Sequence, residues 1–356
     1  MERKNRASMS DQIVRHSKGE VKKERVSFIS TGCIPLNLAS SQRGIDGGWA
    51  RGRVINIVGD GSSGKTVLAL EAAAWFAYNM LGNSNPLFPK VKKVRVRYNN
   101  VEGVMDFDLE EMYGRRFEGL VEWYQEGEVE KWGAGLHKEL LEYEPGVALL
   151  DIGDSLDAMT SKAGMARAVK KAEGKAVESG TYGTEKAKYL SSEFFNNLCQ
   201  MMKTPKGKQK DITIMLISQV RENLNAGSFG KKHYRVGGKA MDFYTHQVAW
   251  LYHMGKLKKE FKSVKKVYGV KTKAVFERSK VSPPFMEAQF PIIIRPPRGV
   301  DDIGAMFDFL GKKKDLEAIQ EVEGDETLYK ALVAKVVALW RKIEDGTKVE
   351  RKRKYI

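Results

Sequence analysis

Cysteine is nearly absent: Cys33 and Cys199 are the only two in a chain of 356 residues. Two cannot build a disulfide framework or a cysteine metal cluster, and both are expected to be small apolar core residues in a reducing compartment. No apolar run approaches the ~20 residues that a membrane-spanning helix needs. The opening stretch MERKNRASMSDQ is polar and charged, without the apolar centre of a secretory signal, so the expected location is cytoplasmic. No internal repeat is visible. Acidic residues are in deficit, 45 Asp and Glu against 61 Lys and Arg, a net charge of +16. A lysine-rich solvated surface would give that balance, and so would a polyanion partner, because neutralising phosphates releases counterions. Where the charge sits has to decide.

What is present is a hydrophobic fraction of 42%, enough for a sizeable core. At ~100–200 residues per domain, the length fits one large domain with appendages, or two. Residues 1–27 are polar and aperiodic and read as an arm, with a possible role in subunit docking. From Val54, buried-strand patterns alternate with helical ones. RVINIVG (53–59), VKKVRVRYNNVE (91–102), GVALLDIGDS (146–155) and DITIMLISQVRE (211–222) read as strands. TVLALEAAAWFAYNML (66–81), MDFDLEEMYG (105–114) and EKAKYLSSEFFNNLCQMMK (185–203) read as helices. The alternation predicts an α/β fold, a mainly parallel twisted sheet with helices on both faces. After residue 238, FYTHQVAWLYHM, GVKTKAVFERSK and FMEAQFPIII read as further strands, expected to extend the sheet in antiparallel fashion. From Asp302 the chain is helical and charged and ends in basic RKRKYI. Two segments, 161–184 and 223–240, fit no regular element and are rich in glycine and basic side chains. Long irregular segments in a compact domain are usually functional or disordered.

Residues 59–66, GDGSSGKT, match G-x-x-x-x-G-K-[ST] between an apolar strand and a helix. In that pattern backbone N–H groups from Gly59, Asp60, Gly61, Ser62, Ser63 and Gly64 wrap phosphates at a helix N-terminus, the lysine (Lys65) bridges the terminal phosphates and the threonine (Thr66) places its hydroxyl on Mg²⁺. The expected ligands are therefore a nucleotide and Mg²⁺. A Mg²⁺ loop needs a carboxylate on a neighbouring strand. ALLDIGDS offers Asp151 and Asp154 on opposite strand faces. Asp154, at the C-terminal end where ligands collect in open parallel sheets, is preferred. Asp151 would then be satisfied by backbone or a basic neighbour. Glu102, at the tip of RVRYNNVEG, is the candidate to orient water, on a strand expected to lie beside the loop strand. Gln219, closing LISQ, is the candidate to sense a γ-phosphate.

These residues share an order and spacing similar to the RecA recombinase family, from about Ile29 to Phe309. ISTGCIPLNLA (29–39) and GWARGRVINIVGDGSSGKT (48–66) resemble the family's entry and loop. VEGVMD (101–106) resembles its catalytic glutamate segment, which implies that Glu102 activates water and Asp106 contacts adenine. DSLDAMTSKA (154–163) resembles the segment after its metal-binding aspartate. LISQVR (216–221) resembles the strand whose glutamine couples γ-phosphate to DNA, with Arg221 following. GGKAMDFY (237–244) resembles the close of its second DNA loop. ERSKVSPPF (277–285) resembles a segment whose two cations, here Arg278 and Lys280, reach the ATP of the next subunit.

The resemblance implies a RecA-like core over 28–301 with DNA loops at 161–184 and 222–238, and a small helical region over 302–356. The implied DNA-binding residues are Lys170, Lys171, Arg221, Gly227, Phe229, Gly230, Lys231, Lys232, Arg235, Gly237 and Gly238. Glycines permit close backbone approach, cations neutralise phosphates and rings stack on bases. The implied activity is that of a DNA-dependent ATPase and recombinase, forming helical filaments on single-stranded DNA and exchanging strands with double-stranded DNA. A ring-forming RecA-core motor and an ATP-binding regulator are the alternatives. The chain departs from the pattern at Asn100, where bacterial members have aspartate, and at Leu109, where an aromatic ring often stacks on adenine. Its first loop is longer, its arm lacks a long amphipathic helix and its tail is basic, all of which suggest a divergent member of viral or accessory type.

Overall fold

The computed structural model describes residues 26–103, 105, 107–175, 184–222, 233–235, 238–295, 299–312, 316–349 and 351. Nearly all of the expected arm and the last residues of the basic tail therefore lie outside the described residues.

A short pair, β1 (Phe28–Ile29) and β2 (Trp49–Ala50), brackets α1 (Ile34–Ser41) and leads into the main sheet. That sheet has nine strands, named in chain order: β3 (Val54–Gly59), β4 (Lys93–Asn100), β5 (Val121–Tyr124), β6 (Val147–Asp154), β7 (Ile212–Gln219), β10 (Gln247–Phe261), β11 (Val264–Ser279), β12 (Met286–Ile293) and β13 (Gly299–Val300). A separate pair is β8 (Arg221–Glu222) with β9 (His233–Tyr234). Across the main sheet the order is β13-β12-β11-β10-β3-β7-β6-β4-β5. Every pairing from β10 through β5 is parallel, and β10–β11–β12–β13 is antiparallel.

Two expectations about this sheet need correction. The strand carrying Glu102 at its tip, β4, is not beside the loop strand β3, because β7 and β6 lie between them. Crossover helices let sequence neighbours pair with distant strands, and apolar patterning carries no order. The first late strand, β10, extends the sheet parallel to β3, and the antiparallel pairings begin only between β10 and β11.

Period-two alternation divides the core. Ile55, Ile57, Met215 and Ile217 face one hydrophobic cluster, and Ile214 and Leu216 face the other. On the first face lie α1 and α2 (Lys65–Asn79), whose Ala69, Ala72 and Ala73 let it approach closely. α3 (Leu109–Tyr113) is shorter than the helix expected over 105–114, since Asp108 caps it by accepting from Glu111 N–H. On the second face lie α4 (Val129–Leu141), and α6 (Thr184–Tyr189) continuing through a π turn (Leu190–Phe194) into α7 (Phe195–Met201). The wide π turn accompanies burial of the adjacent Phe194 and Phe195 together.

The segment expected to be irregular over 161–184 holds a helix, α5 (Lys162–Ala172), capped by Ser161 Oγ accepting from Gly164 N–H at 3.1 Å. It buries no residue, so its apolar signal was too weak to separate from a loop. α8 (Gly238–Tyr244) precedes β10. The C-terminal helices α9 (Asp302–Phe309), α10 (Leu316–Gly324) and α11 (Glu326–Gly346) close the first face, where Met306, Val333, Val336 and Trp340 join the main cluster. Asp302 fastens them: Oδ1 accepts from Ile34 N–H at 2.6 Å and Oδ2 from Tyr329 OH at 2.8 Å. No helix among the described residues is long and apolar enough to cross a membrane.

Candidate nucleotide-binding site

The C-terminal ends of β3, β7, β6 and β4 meet along one edge of the sheet, and the central sequence candidates lie there. β3 ends at Gly59 and the chain turns through Asp60-Gly61-Ser62-Ser63-Gly64 into α2. Ser62 (φ 60°) and Gly64 (φ 95°) are left-handed. A Cβ on Gly64 would lie 2.1 Å from Ile292 Cδ1, and one on Gly59 would lie 2.4 Å from Ser63 Oγ. Gly64, left-handed as well as crowded, needs glycine for the loop to close, whereas a side chain at Gly59 would require the Ser63 hydroxyl to turn away. Lys65 Nζ donates to Asp60 O at 2.7 Å, so the ammonium lies across the loop. Burial lowers its pKa, against the opposing pull of Asp154 and Glu102.

Thr66 Oγ1 donates to Asp154 Oδ2 at 2.9 Å, and Tyr98 OH donates to the same oxygen at 2.7 Å. Burial raises the Asp154 carboxyl above its ordinary range, while the Tyr98 and Thr66 hydrogen bonds restrain it. A hydroxyl facing a carboxylate beside a phosphate loop is a hard oxygen donor pair that suits Mg²⁺, which takes its remaining ligands from phosphate and water. Asp151 lies on the opposite face, fully buried, at 3.0 Å from Arg97 without hydrogen-bond alignment. Burial pushes its carboxyl up to about 6 against the pull of Arg97.

Two further ends complete the edge. Gln219 Nε2 donates to Glu102 Oε1 at 3.4 Å, and Ser155 Oγ donates to the same oxygen at 3.2 Å. Asp157, its side chain 5% exposed, fastens the exit of β7: Oδ2 accepts from Gln219 N–H at 2.7 Å and Oδ1 from Arg221 Nε at 3.2 Å. Lys186 on α6 holds the loop that carries Asp157, donating to the carbonyls of Leu156 (2.8 Å) and Met159 (2.7 Å).

Beside the loop is a cavity of about 610 Å³. Ser62, Gly64, Lys65 and Thr66 form its polar side; Phe107, Val67, Val267, Val270, Ile292 and Ile294 form its apolar side; His253 and Lys256 also line it. Its size and its split between polar and apolar walls fit a nucleotide, with phosphates on the loop and a base among the apolar groups. Leu109, where a ring was wanted, is buried and does not line this cavity; Phe107 supplies the ring instead.

Other candidates stand apart. Arg278 and Lys280 lie at the opposite edge of the sheet, donating to the carbonyls of Asp242 (2.5 Å) and Phe243 (2.6 Å). Arg235 is buried and paired with Asp242 at 2.5 Å. Lys170 and Lys171 are exposed on the last turn of α5. Arg221 is half exposed at the root of the β8–β9 pair, and Gly238 opens α8. Asp106, Gly227, Phe229, Gly230, Lys231, Lys232 and Gly237 lie outside the described residues.

Sequence reasoning missed Tyr98, Asp157, Lys186 and Phe107. The stretch DSLDAM offered a weak signal for Asp157, a carboxylate three residues past Asp154, but its partner on β7 is visible only once β6 and β7 are adjacent.

Residues 5–80 match the RecA N-terminal domain family. Over 296 residues the chain is 29% identical to Protein RecA of Azoarcus sp. (strain BH72), covering 83% of this chain and 73% of that protein. Over 300 residues it is 28% identical to Protein RecA of Helicobacter hepaticus (strain ATCC 51449 / 3B1), covering 84% and 74% respectively.

Proposed function

Because the chain belongs to the RecA family, we propose that it is an ATP-dependent DNA recombinase that forms helical filaments on single-stranded DNA and catalyses homologous pairing and strand exchange. One observation carries the reading: the Thr66–Asp154 pair and the Glu102–Gln219 pair sit on the same sheet edge as the phosphate loop, with Gln219 bound through Asp157 to Arg221. A hydrolysis site is thereby joined by three residues to the segment proposed to grip DNA.

In this reading the core spans 28–301, with 1–27 as a docking arm and 302–356 as a helical region. The loop amides and Lys65 hold the phosphates of ATP, and Phe107 with Ile294 borders the base. Thr66 and Asp154 provide protein ligands for Mg²⁺. When bound, Mg²⁺ neutralises charge developing on the phosphate oxygens. Glu102 orients the attacking water and Gln219 senses the γ-phosphate, coupling it to segment 222–238, which binds DNA in this reading. Arg278 and Lys280 act on the nucleotide of the neighbouring protomer. Head-to-tail contacts that do not close generate a helix.

Electron microscopy of the protein with ATP and single-stranded DNA tests the proposal. Long helical filaments are expected from the wild type and none from Lys65→Ala. Closed rings would instead favour a motor, and filaments indistinguishable between the two proteins would sink the site assignment.

A further inference from the structure

Val96 and Tyr98 of β4 face the first hydrophobic cluster, as do Leu150 and Ile152 of β6. Tyr98 pairs with Ile152, and Asn100 with Asp154, so Tyr98 and Asp154 stand one diagonal step apart on the same face. The Tyr98 ring is fully buried and packs on Trp123 of β5, with 5.1 Å between ring centroids. Trp123 in turn meets Phe117 at 6.4 Å, and Phe117 meets Tyr113 of α3 at 4.8 Å. A row of rings running from β4 through β5 to α3 therefore holds the phenol in place.

Burying a hydroxyl costs free energy unless it is hydrogen-bonded, and packing alone would be served as well by phenylalanine. The hydroxyl of Tyr98 has a specific use: it donates to Asp154 Oδ2 at 2.7 Å. Thr66 Oγ1, at the start of α2, donates to the same oxygen at 2.9 Å. Two donors from different elements thus converge on Oδ2, and among the described residues no hydrogen bond reaches Oδ1. The carboxylate is held with one oxygen engaged by the protein. Groups that hold a ligating carboxylate from behind orient it and tune the ion it takes.

We propose that Tyr98 is a positioning residue that selects the ion, holding Asp154 Oδ2 so that the carboxylate offers Mg²⁺ one oxygen and denies Ca²⁺ two. Mg²⁺ is small, demands near-ideal octahedral geometry and keeps several waters, so a single carboxylate oxygen suits it, directly or through a water. Ca²⁺ takes more oxygens in looser geometry and often binds both oxygens of one carboxylate. With Oδ2 already accepting from Tyr98 and Thr66, a two-oxygen grip would have to break both bonds. Thr66 alone does not impose this, because its hydroxyl belongs to the ion's own ligands in the reading above. Tyr98, enclosed among rings, serves only the carboxylate. The inference rests on the Mg²⁺–nucleotide part of that reading and adds what sets the choice of ion.

The test titrates binding of a fluorescent, non-hydrolysable ATP analogue to the full-length protein with Mg²⁺ and, separately, with Ca²⁺, over a baseline in EDTA. The wild type is expected to need less Mg²⁺ than Ca²⁺ for half of the ion-dependent gain. Tyr98→Phe keeps the ring and loses only the donor. Its Mg²⁺ midpoint is expected to rise about tenfold, the lower end of the effect of removing such a support, while its Ca²⁺ midpoint stays level or falls. Baseline binding in EDTA and the melting temperature without ions are expected to match those of the wild type. A ratio of the two midpoints that the substitution leaves unchanged overturns the proposal, whether both midpoints hold or both rise. Loss of baseline binding would make Tyr98 a packing residue and overturn it too. Equal midpoints for the two ions in the wild type overturn it without any variant. Absence of wild-type filaments on single-stranded DNA would strike the recombinase reading instead, while the ion midpoints still read Tyr98.

Discussion

Asp157 illustrates what a single residue can do at a junction. Its two carboxylate oxygens are divided between the Gln219 amide and the Arg221 guanidinium, one on each side of the strand exit. Gln219 itself reaches Glu102 at 3.4 Å. Asp157 thus ties the exit of β7 at Gln219 to Arg221. Replacing Asp157 with alanine leaves Glu102, Lys65 and Asp154 in place and frees the strand exit. Basal ATP hydrolysis is expected to persist while its stimulation by DNA falls by about tenfold or more, the equivalent of the ~1.5–3 kcal/mol of a hydrogen bond to a charged group. Asp157→Asn, which keeps an acceptor for Gln219 but loses the charge facing Arg221, should recover part of that stimulation. Equal losses of basal and stimulated rates would reduce Asp157 to a structural role. Residues such as Lys65, Thr66, Glu102 and Gln219 were legible beforehand because their spacing lies within single strands and turns. Tyr98 and Asp157 were not, because each acts on a partner from another strand, Asp154 and Gln219 respectively, and only the order of strands brings them together.

At the scale of elements, the buried strands were readable because a run buried on both faces must be apolar throughout, as VINIVG of β3 is. Helix α5 was not, because it buries nothing, and the position of β4 was not, because its neighbours are chosen by crossovers rather than by its own pattern. The seam between α2 and the C-terminal helices holds a further consequence. Glu71 of α2 is pushed up to about 7 by burial, which outweighs the hydrogen bonds from Val300 N–H and Tyr113. Asp302, at the start of α9, is pushed up to about 6, again by burial, against the bonds from Ile34 and Tyr329. Both folded values lie above those of unfolded carboxyls. The stability these groups contribute is therefore present in full below the unfolded range, near pH 4, and is lost as pH rises through 6 and 7. Thermal unfolding followed by circular dichroism should show the wild type melting roughly 5 °C lower at pH 8 than at pH 5.5. Glu71→Gln, which cannot ionise, should flatten much of that difference. A pH profile identical in variant and wild type would show that Glu71 does not titrate in this window.

For the whole molecule, the decisive geometry is that the candidate cations do not meet the candidate loop within one chain. Gly59, at the C-terminal end of β3, pairs with Leu251, whereas Arg278 and Ser279 pair with Val248 and Gln247, three and four residues back along β10 and beside the start of β3. Those three to four residues correspond to roughly 10–13 Å along the strands at ~3.3 Å per residue. Lys65 and Lys280 thus belong to opposite edges of the sheet, as a head-to-tail assembly requires if one protomer completes the site of the next. That arrangement has a signature no single-chain site can imitate. Lys65→Ala and the double variant Arg278→Ala, Lys280→Ala are each expected to lose ATP hydrolysis on single-stranded DNA. Mixed in equal amounts, they place an intact loop against intact cations at about one interface in four, by chance pairing in an open heterologous array. Hydrolysis should therefore return to about a quarter of the wild-type rate, provided both variants melt as the wild type does. No recovery on mixing, with both variants folded and seen to enter the same filaments, would mean that Arg278 and Lys280 serve only their own chain, where their bonds to the Asp242 and Phe243 carbonyls fasten α8.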